Sequence, residues 1–132
     1  NLNFKNNLNK YKNSGIQILW QCGKNNFNLV KTKVINKNII IKKYIENMSA
    51  AYSAADIVIS RAGALSISEL TYMGKAMILI PFPYAAENHQ EINANYIQNK
   101  NACIVINQNQ LNTGILEKTI SEIILNKNKI KS

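Results

Sequence analysis

Several residue types are nearly missing, and each scarcity removes a class of function. Aspartate occurs once, at Asp56, so no Asp-x-Asp pair exists to hold a metal on a diphosphate. Histidine also occurs once, at His89. The two cysteines, Cys22 and Cys103, form no Cys-x-x-Cys pair and have no second ligand cluster beside them, which removes a structural metal site. Both lie in apolar, strand-like segments and read as buried, inert thiols of a reducing cytoplasm. Long apolar runs are missing too. The longest, residues 76–80 with Pro81 and Phe82 behind it, is far short of the ~20 residues that a membrane helix needs. No basic-then-apolar signal segment opens the chain, and there is no initiator Met. The sequence therefore reads as a piece of a longer protein.

Arginine is a further scarcity. Of the 16 basic residues only Arg61 is not lysine, and the formal net charge is +9. Lysine, asparagine and isoleucine crowd together, as an AT-rich genome writes at tolerant surface positions. No aromatic-and-arginine stacking pattern accompanies the charge, so nucleic acid is not expected as a partner. Attraction to an anionic membrane surface fits better, each exposed lysine there adding about 1 kcal/mol.

What is present is a globular composition: 132 residues, 46% of them apolar, enough for one domain with a real core. Strand-like and helix-like segments alternate. The pattern predicts helices over residues 2–13, within 23–36, and over 47–55, 64–73, 88–99 and 110–125. Strands are expected over 16–21, 38–44, 56–60, 76–80 and 103–106, the run Ile39, Ile40 and Ile41 suggesting a buried one. This order predicts an α/β fold, a Rossmann-like doubly wound parallel sheet that binds ligands at the carboxyl ends of its strands. The Asn/Lys stretches 24–28 and 126–131 read as solvated.

Two segments at that rim carry candidate chemistry. In the first, the strand 56–60 turns through Ser60, Arg61, Ala62 and Gly63 directly into a helix. The first amides of such a helix have no intrahelical partner and carry about half a positive charge, which suits a phosphate. Gly63 permits close approach, Ser66 offers a hydroxyl, and Arg61 sits at the same turn. Glu69, one turn later, suits a vicinal diol such as a ribose. On spacing alone, Glu69, Ser66 and Ser68 are also read as ordinary exposed helix residues, because a strand–turn–helix is generic to this fold class. The second segment, residues 81–94, starts at another strand end with two prolines and continues into a helix bearing His89, Gln90 and Asn93. Gln90 and Asn93 carry paired donors and acceptors suited to sugar hydroxyls, or to water on an exposed face.

Taken together, the residues resemble the MurG family of peptidoglycan glycosyltransferases. The resemblance runs through Ile18-Leu19-Trp20-Gln21, Tyr44-Ile45-Glu46-Asn47-Met48, Ala51-Tyr52, Ala55-Asp56, Ser60-Arg61-Ala62-Gly63-Ala64, Ser68-Glu69 and residues 81–94. It covers most of the chain and implies the C-terminal, donor-binding half of a GT-B enzyme spanning residues 1–132. The implied reaction is inverting transfer of N-acetylglucosamine from UDP-N-acetylglucosamine to lipid I in peptidoglycan synthesis. The enzyme would work peripherally at the cytoplasmic face of the cell membrane, without a cofactor or metal. The resemblance assigns the uracil edge to the backbone of Ile45, with Tyr44 nearby, and the diphosphate to the helix start at Ala64, Leu65 and Ser66, with Ile67 and Ser68 alongside. It gives the ribose to Glu69, and the N-acetylglucosamine hydroxyls to Gln90, with His89 and Asn93 less directly involved.

Two of the family's features have no counterpart here. One is a glycine-rich loop that also touches the diphosphate and should lie just before Asn1. The other is the N-terminal acceptor domain, which holds lipid I and the catalytic base. No catalytic residue is therefore expected in this chain, and it should be inactive alone. Two alternatives stay open: the donor domain of another GT-B enzyme with a different acceptor, and a nucleotide-binding subunit that needs a partner chain.

Overall fold

The computed structural model describes residues 15–34 and 36–126. The helix expected over residues 2–13 lies outside the described residues, as does most of the stretch 126–131. The described part is α/β, and every strand pairing in it is parallel. It divides into two compact units, residues 1–51 and 52–132, each with its own sheet.

The first unit contains β1 (Ile18–Gln21), α1 (Phe27–Lys33) and β2 (Ile39–Lys42). β1 and β2 pair in register, Ile18 opposite Ile39 and Gln21 opposite Lys42. The inward-facing Ile18, Trp20, Ile39 and Ile41 pack with Val30 and Val34 and with Cys22. Alternation sends the other side chains to the opposite face. Ile40, expected to be buried with its neighbours, is 56% exposed there, beside Leu19, which is also exposed.

The next helix, α2 (Met48–Ala54), begins in the first unit and ends in the second. Asn47 caps its start, its Oδ1 accepting the Ala50 N–H at 3.0 Å.

The second unit contains β3 (Ile57–Ser60), α3 (Ala64–Tyr72), β4 (Ala76–Leu79), α4 (His89–Asn99), β5 (Ile104–Val105) and α5 (Ile115–Leu125). β4 is central, flanked by β3 and β5. Met77 and Leu79 on one of its faces join Ala62, Ile67, Leu70 and Ala94 in a buried cluster. Ile78, on the opposite face, is fully buried as well. Burying each Leu or Ile side chain contributes about 1.5–3 kcal/mol, so this sheet is where the second unit gains its stability. Cys103 packs against the same cluster, and burial pushes its thiol up to about 11. That matches the inert thiol expected of it, because the thiolate is the reactive form.

Gly74 ends α3 in a Schellman motif. Its φ is +64°, its N–H donates to Thr71 O at 3.1 Å, and the Lys75 N–H donates to Leu70 O at 3.1 Å. The Lys75 ammonium then reaches back to the carbonyls of Ser53 and Ala55, at 3.1 and 2.9 Å, satisfying the end of α2.

The final helix starts later than its apolar pattern suggests. Residues 108–110 form a 3-10 turn instead, with a capping box between Asn107 and Gln110, and Gly114 at φ +78° precedes α5. The polar side chains there bond their own backbone in preference to continuing a helix.

Candidate functional site

The turn between β3 and α3 is built as the sequence suggests, with an open helix start. Gly63 is the residue before α3, in extended backbone, and no side chain caps the helix. The first intrahelical bond at this end runs from the Ile67 N–H to Gly63 O, at 3.0 Å. The amides of Ala64, Leu65 and Ser66 have no acceptor among the described residues. Three aligned donors at the positive end of a nine-residue helix, beyond the carboxyl end of a strand, suit an anion.

The side chains there differ in what they can reach. Leu65 is 74% exposed, and Ala64, Ser68 and Glu69 are exposed too. Ile67 is buried in the core, so only its backbone is available to a ligand. Ser60 donates its hydroxyl to the neighbouring Arg61 carbonyl at 2.8 Å. Arg61 does not extend toward the helix start. Its Nη1 donates to the carbonyls of Ile80 and Pro81, at 3.3 and 3.4 Å, and its guanidinium covers the Phe82 ring. Partial burial there holds its pKa below the ordinary arginine value.

A neighbour that the motif reading left without a role is Tyr52, at the end of α2. Burial raises its phenol pKa above the ordinary value, the charge of Glu69 raises it further, and hydrogen bonding with Ser66 partly offsets both. Tyr52 thus faces two of the expected ligand residues while its ring packs on the core. No spacing rule links position 52 to position 69; only the packing of α2 beside α3 does.

Gln90 and Asn93 sit one turn apart on the same face of α4. Gln90 Oε1 accepts the Ala62 N–H at 3.2 Å and the Phe82 N–H at 2.9 Å. Asn93 Nδ2 donates to the Ala62 carbonyl at 3.2 Å. Both side chains therefore serve the turn directly. What remains for a ligand is the Gln90 amide N–H₂, a donor, and Asn93 Oδ1, an acceptor. His89 is exposed, its Nε2 3.2 Å from Glu87 Oε2. Glu87 and Asn88, just before α4, both adopt left-handed backbone, at φ 53° and 55°. Two such non-glycine residues in succession cost about 1–2 kcal/mol each.

In the first unit, Ile45 follows β2. Its N–H, the donor expected to read a base, is taken by Gln21 Oε1 at 2.8 Å. Ile45 lines an open cavity of about 350 Å³ with Leu19, Lys42, Tyr44 and Glu46, and Tyr44 is 70% exposed. Gln21, at the carboxyl end of β1, had no role assigned from sequence, and its position at a strand end was the only signal for one.

Among the described residues, no group of three or more His, Cys, Asp and Glu side chains is placed to hold a metal. No helix among them is long and apolar enough to cross a membrane.

Comparison with known proteins fits this geometry. The profile of the Glycosyltransferase family 28 C-terminal domain matches residues 3–132. A protein of Thermodesulfovibrio yellowstonii is 47% identical over 117 residues, covering 87% of this chain and 32% of that protein. One of Desulforamulus reducens is 50% identical over 95 residues, covering 72% of this chain and 26% of that protein. Both are named UDP-N-acetylglucosamine–N-acetylmuramyl-(pentapeptide) pyrophosphoryl-undecaprenol N-acetylglucosamine transferase. The crystal structure of Acinetobacter baumannii MurG superposes with a TM-score of 0.72 at 29% identity, covering 82% of this chain and 32% of that one. The chain thus spans between about a quarter and a third of the length of these relatives. With its strand–turn–helix site and this match along nearly its whole length, the chain belongs to glycosyltransferase family 28, as that family's C-terminal domain.

Proposed function

We propose that the chain is the donor-binding domain of an inverting N-acetylglucosaminyltransferase. The enzyme moves N-acetylglucosamine from UDP-N-acetylglucosamine to the muramyl 4-hydroxyl of lipid I, giving lipid II for peptidoglycan. The observation that carries this reading is the uncapped start of α3, with three amides beyond the end of β3 that have no partner among the described residues. The names of the relatives supply the substrates.

In this reading the amides of Ala64, Leu65 and Ser66 take the diphosphate, with Ser68 and the Ile67 backbone beside them and Gly63 leaving room for its approach. As the glycosidic bond breaks, negative charge grows on the departing UDP. Fixed amides at a helix start stabilise it without reorganising. Glu69 accepts from the ribose hydroxyls. The free N–H₂ of Gln90 and the free carbonyl of Asn93 serve the sugar hydroxyls. In the first unit, Ile45 serves the uracil edge, with Tyr44 next to it. Arg61 is assigned to holding the loop rather than to the phosphate, and His89 to neither acid nor base. The base that deprotonates the acceptor hydroxyl belongs to the acceptor-binding domain.

In this reading the enzyme works peripherally at the cytoplasmic face of the membrane, a place that suits the undecaprenol-linked acceptor named for the relatives. The net charge of +9 favours such a surface.

Calorimetric titration of the chain with UDP-N-acetylglucosamine, and with GDP-mannose as control, tests the reading. Binding of the first only is expected, with no transfer to a lipid I analogue by the chain alone. Equal affinity for the two nucleotides would overturn it.

A further inference from the structure

Ala62 is gripped at both of its backbone polar atoms by one helix face. Gln90 Oε1 takes its N–H and Asn93 Nδ2 takes its carbonyl, each at 3.2 Å. Ala62 itself is fully buried. The next residue, Gly63, is the cap position of α3, so the clamped residue leads straight into the three free amides. The same Gln90 oxygen also holds the Phe82 N–H at 2.9 Å. One atom therefore joins the loops that follow two adjacent strands, β3 and β4. Arg61 crosses between the same loops as well, through the carbonyls of Ile80 and Pro81. The two bonds at Gln90 Oε1 also fix which way that amide points. A flipped amide would set N–H₂ against two N–H groups.

We propose that Gln90 and Asn93 are positioning residues for the diphosphate site, forming a bracket that fixes the orientation of the Ala62–Gly63 segment and with it the amides of Ala64, Leu65 and Ser66. Donors held in place before binding lose less freedom on binding, so the bracket strengthens the grip on a phosphate that neither side chain touches. Gln90 then matters even to a ligand without a sugar. A role limited to sugar contact predicts the opposite. The ligand arm of the test rests on the donor-binding reading above; the amide arm does not.

The test is amide hydrogen exchange by NMR on the whole chain, together with UDP titration. Gln90→Leu removes the oxygen at nearly constant volume. It is expected to speed exchange of the Ala62 and Phe82 amides about tenfold while leaving the β4 amide of Ile78 unchanged. UDP affinity should fall about tenfold alongside. Gln90→Glu keeps an acceptor and should restore slow exchange at both amides. If Gln90→Leu does not fold, Gln90→Asn withdraws the oxygen by one carbon and should give the same exchange pattern. Wild-type exchange at Ala62 and Phe82 in folded Gln90→Leu or in Gln90→Asn overturns the bracket. So does unchanged UDP affinity in Gln90→Leu with loss confined to UDP-N-acetylglucosamine. Wild-type chain that binds no UDP defeats the donor reading instead, and exchange alone then decides the bracket.

Discussion

The guanidinium of Arg61 lies over the ring of Phe82, 5.5 Å from its centroid, at the meeting of the loops that follow β3 and β4. The only arginine of the chain is thus spent on holding two loops together, where a lysine-rich sequence supplies no substitute. Its planar fork donates to the Ile80 and Pro81 carbonyls while its face stacks on the ring. An ammonium cannot do both.

Arg61→Lys should therefore behave as a loss rather than a conservative change. Thermal unfolding is expected to show a destabilisation of about 1 kcal/mol, similar to that of Arg61→Ala. If lysine restored full stability, or if only nucleotide affinity changed, the side chain would be acting as a charge for the ligand and not as a tie.

Gln21 and Ile45 set up a competition in the first unit. The Ile45 N–H that the donor reading gives to uracil is occupied by Gln21 Oε1 at 2.8 Å. A base must displace that contact, giving back the ~0.5–1.5 kcal/mol that such a bond contributes. Gln21→Ala is then expected to tighten uridine or UDP binding, by about two- to tenfold, measured by calorimetry. Weaker binding in this variant would mean that Gln21 positions the Ile45 segment for its ligand.

Tyr52 reports on Glu69. The phenol pKa is raised by burial first and by the Glu69 charge second. Glu69→Gln removes the charge and should move the Tyr52 titration down toward its ordinary value of 10.0, read by ultraviolet absorbance against a Tyr52→Phe control. The sign for stability follows from the raised folded pKa. The unfolded chain releases the phenol proton first, so stability is intact below the ordinary value and falls as pH rises through the folded one. In the donor reading the same substitution weakens UDP binding by about 1.5–3 kcal/mol, because ribose hydroxyls lose a charged acceptor. UDP affinity unchanged in Glu69→Gln would remove Glu69 from the site.

Some of this was readable in advance, and particular residues show why. The strand at Ile57–Ser60 and the helix after Gly63 follow from a continuous apolar run broken by a glycine turn, both local signals. The role of Gln90 was only partly readable. Its carboxamide looks like a sugar ligand in sequence, yet its oxygen bonds Ala62 and Phe82, 28 and 8 residues away. That partnership depends on how the β3 and β4 ends line up in the sheet, a fact of register rather than of composition. The exposure of Ile40 has a different origin. A β-branched run signals a strand but not which of its faces is covered. α5 starts later than the apolar period implies because Asn107 and Gln110 bond local backbone, a competition that periodicity does not register.

Gly63 separates the demands of the fold from those of a ligand. Its φ of −68° and ψ of 143° are open to any residue, and a Cβ built on it meets nothing within 4 Å. The fold itself gives no reason for glycine at this position. Gly63→Ala exchanges a better cap residue for a worse one but restricts the unfolded chain, two terms of similar size and opposite sign. Stability is expected to change by less than about 1 kcal/mol in chemical denaturation. A diphosphate seated on the amides of Ala64, Leu65 and Ser66 lies where close backbone approach matters, and an added methyl group stands in its way. UDP affinity should then fall about tenfold or more while the fold is unaffected, a separation that no core substitution in α3 can produce, since Ile67 and Leu70 are buried and would alter both. Full UDP affinity in a stably folded Gly63→Ala chain would place the diphosphate away from this turn.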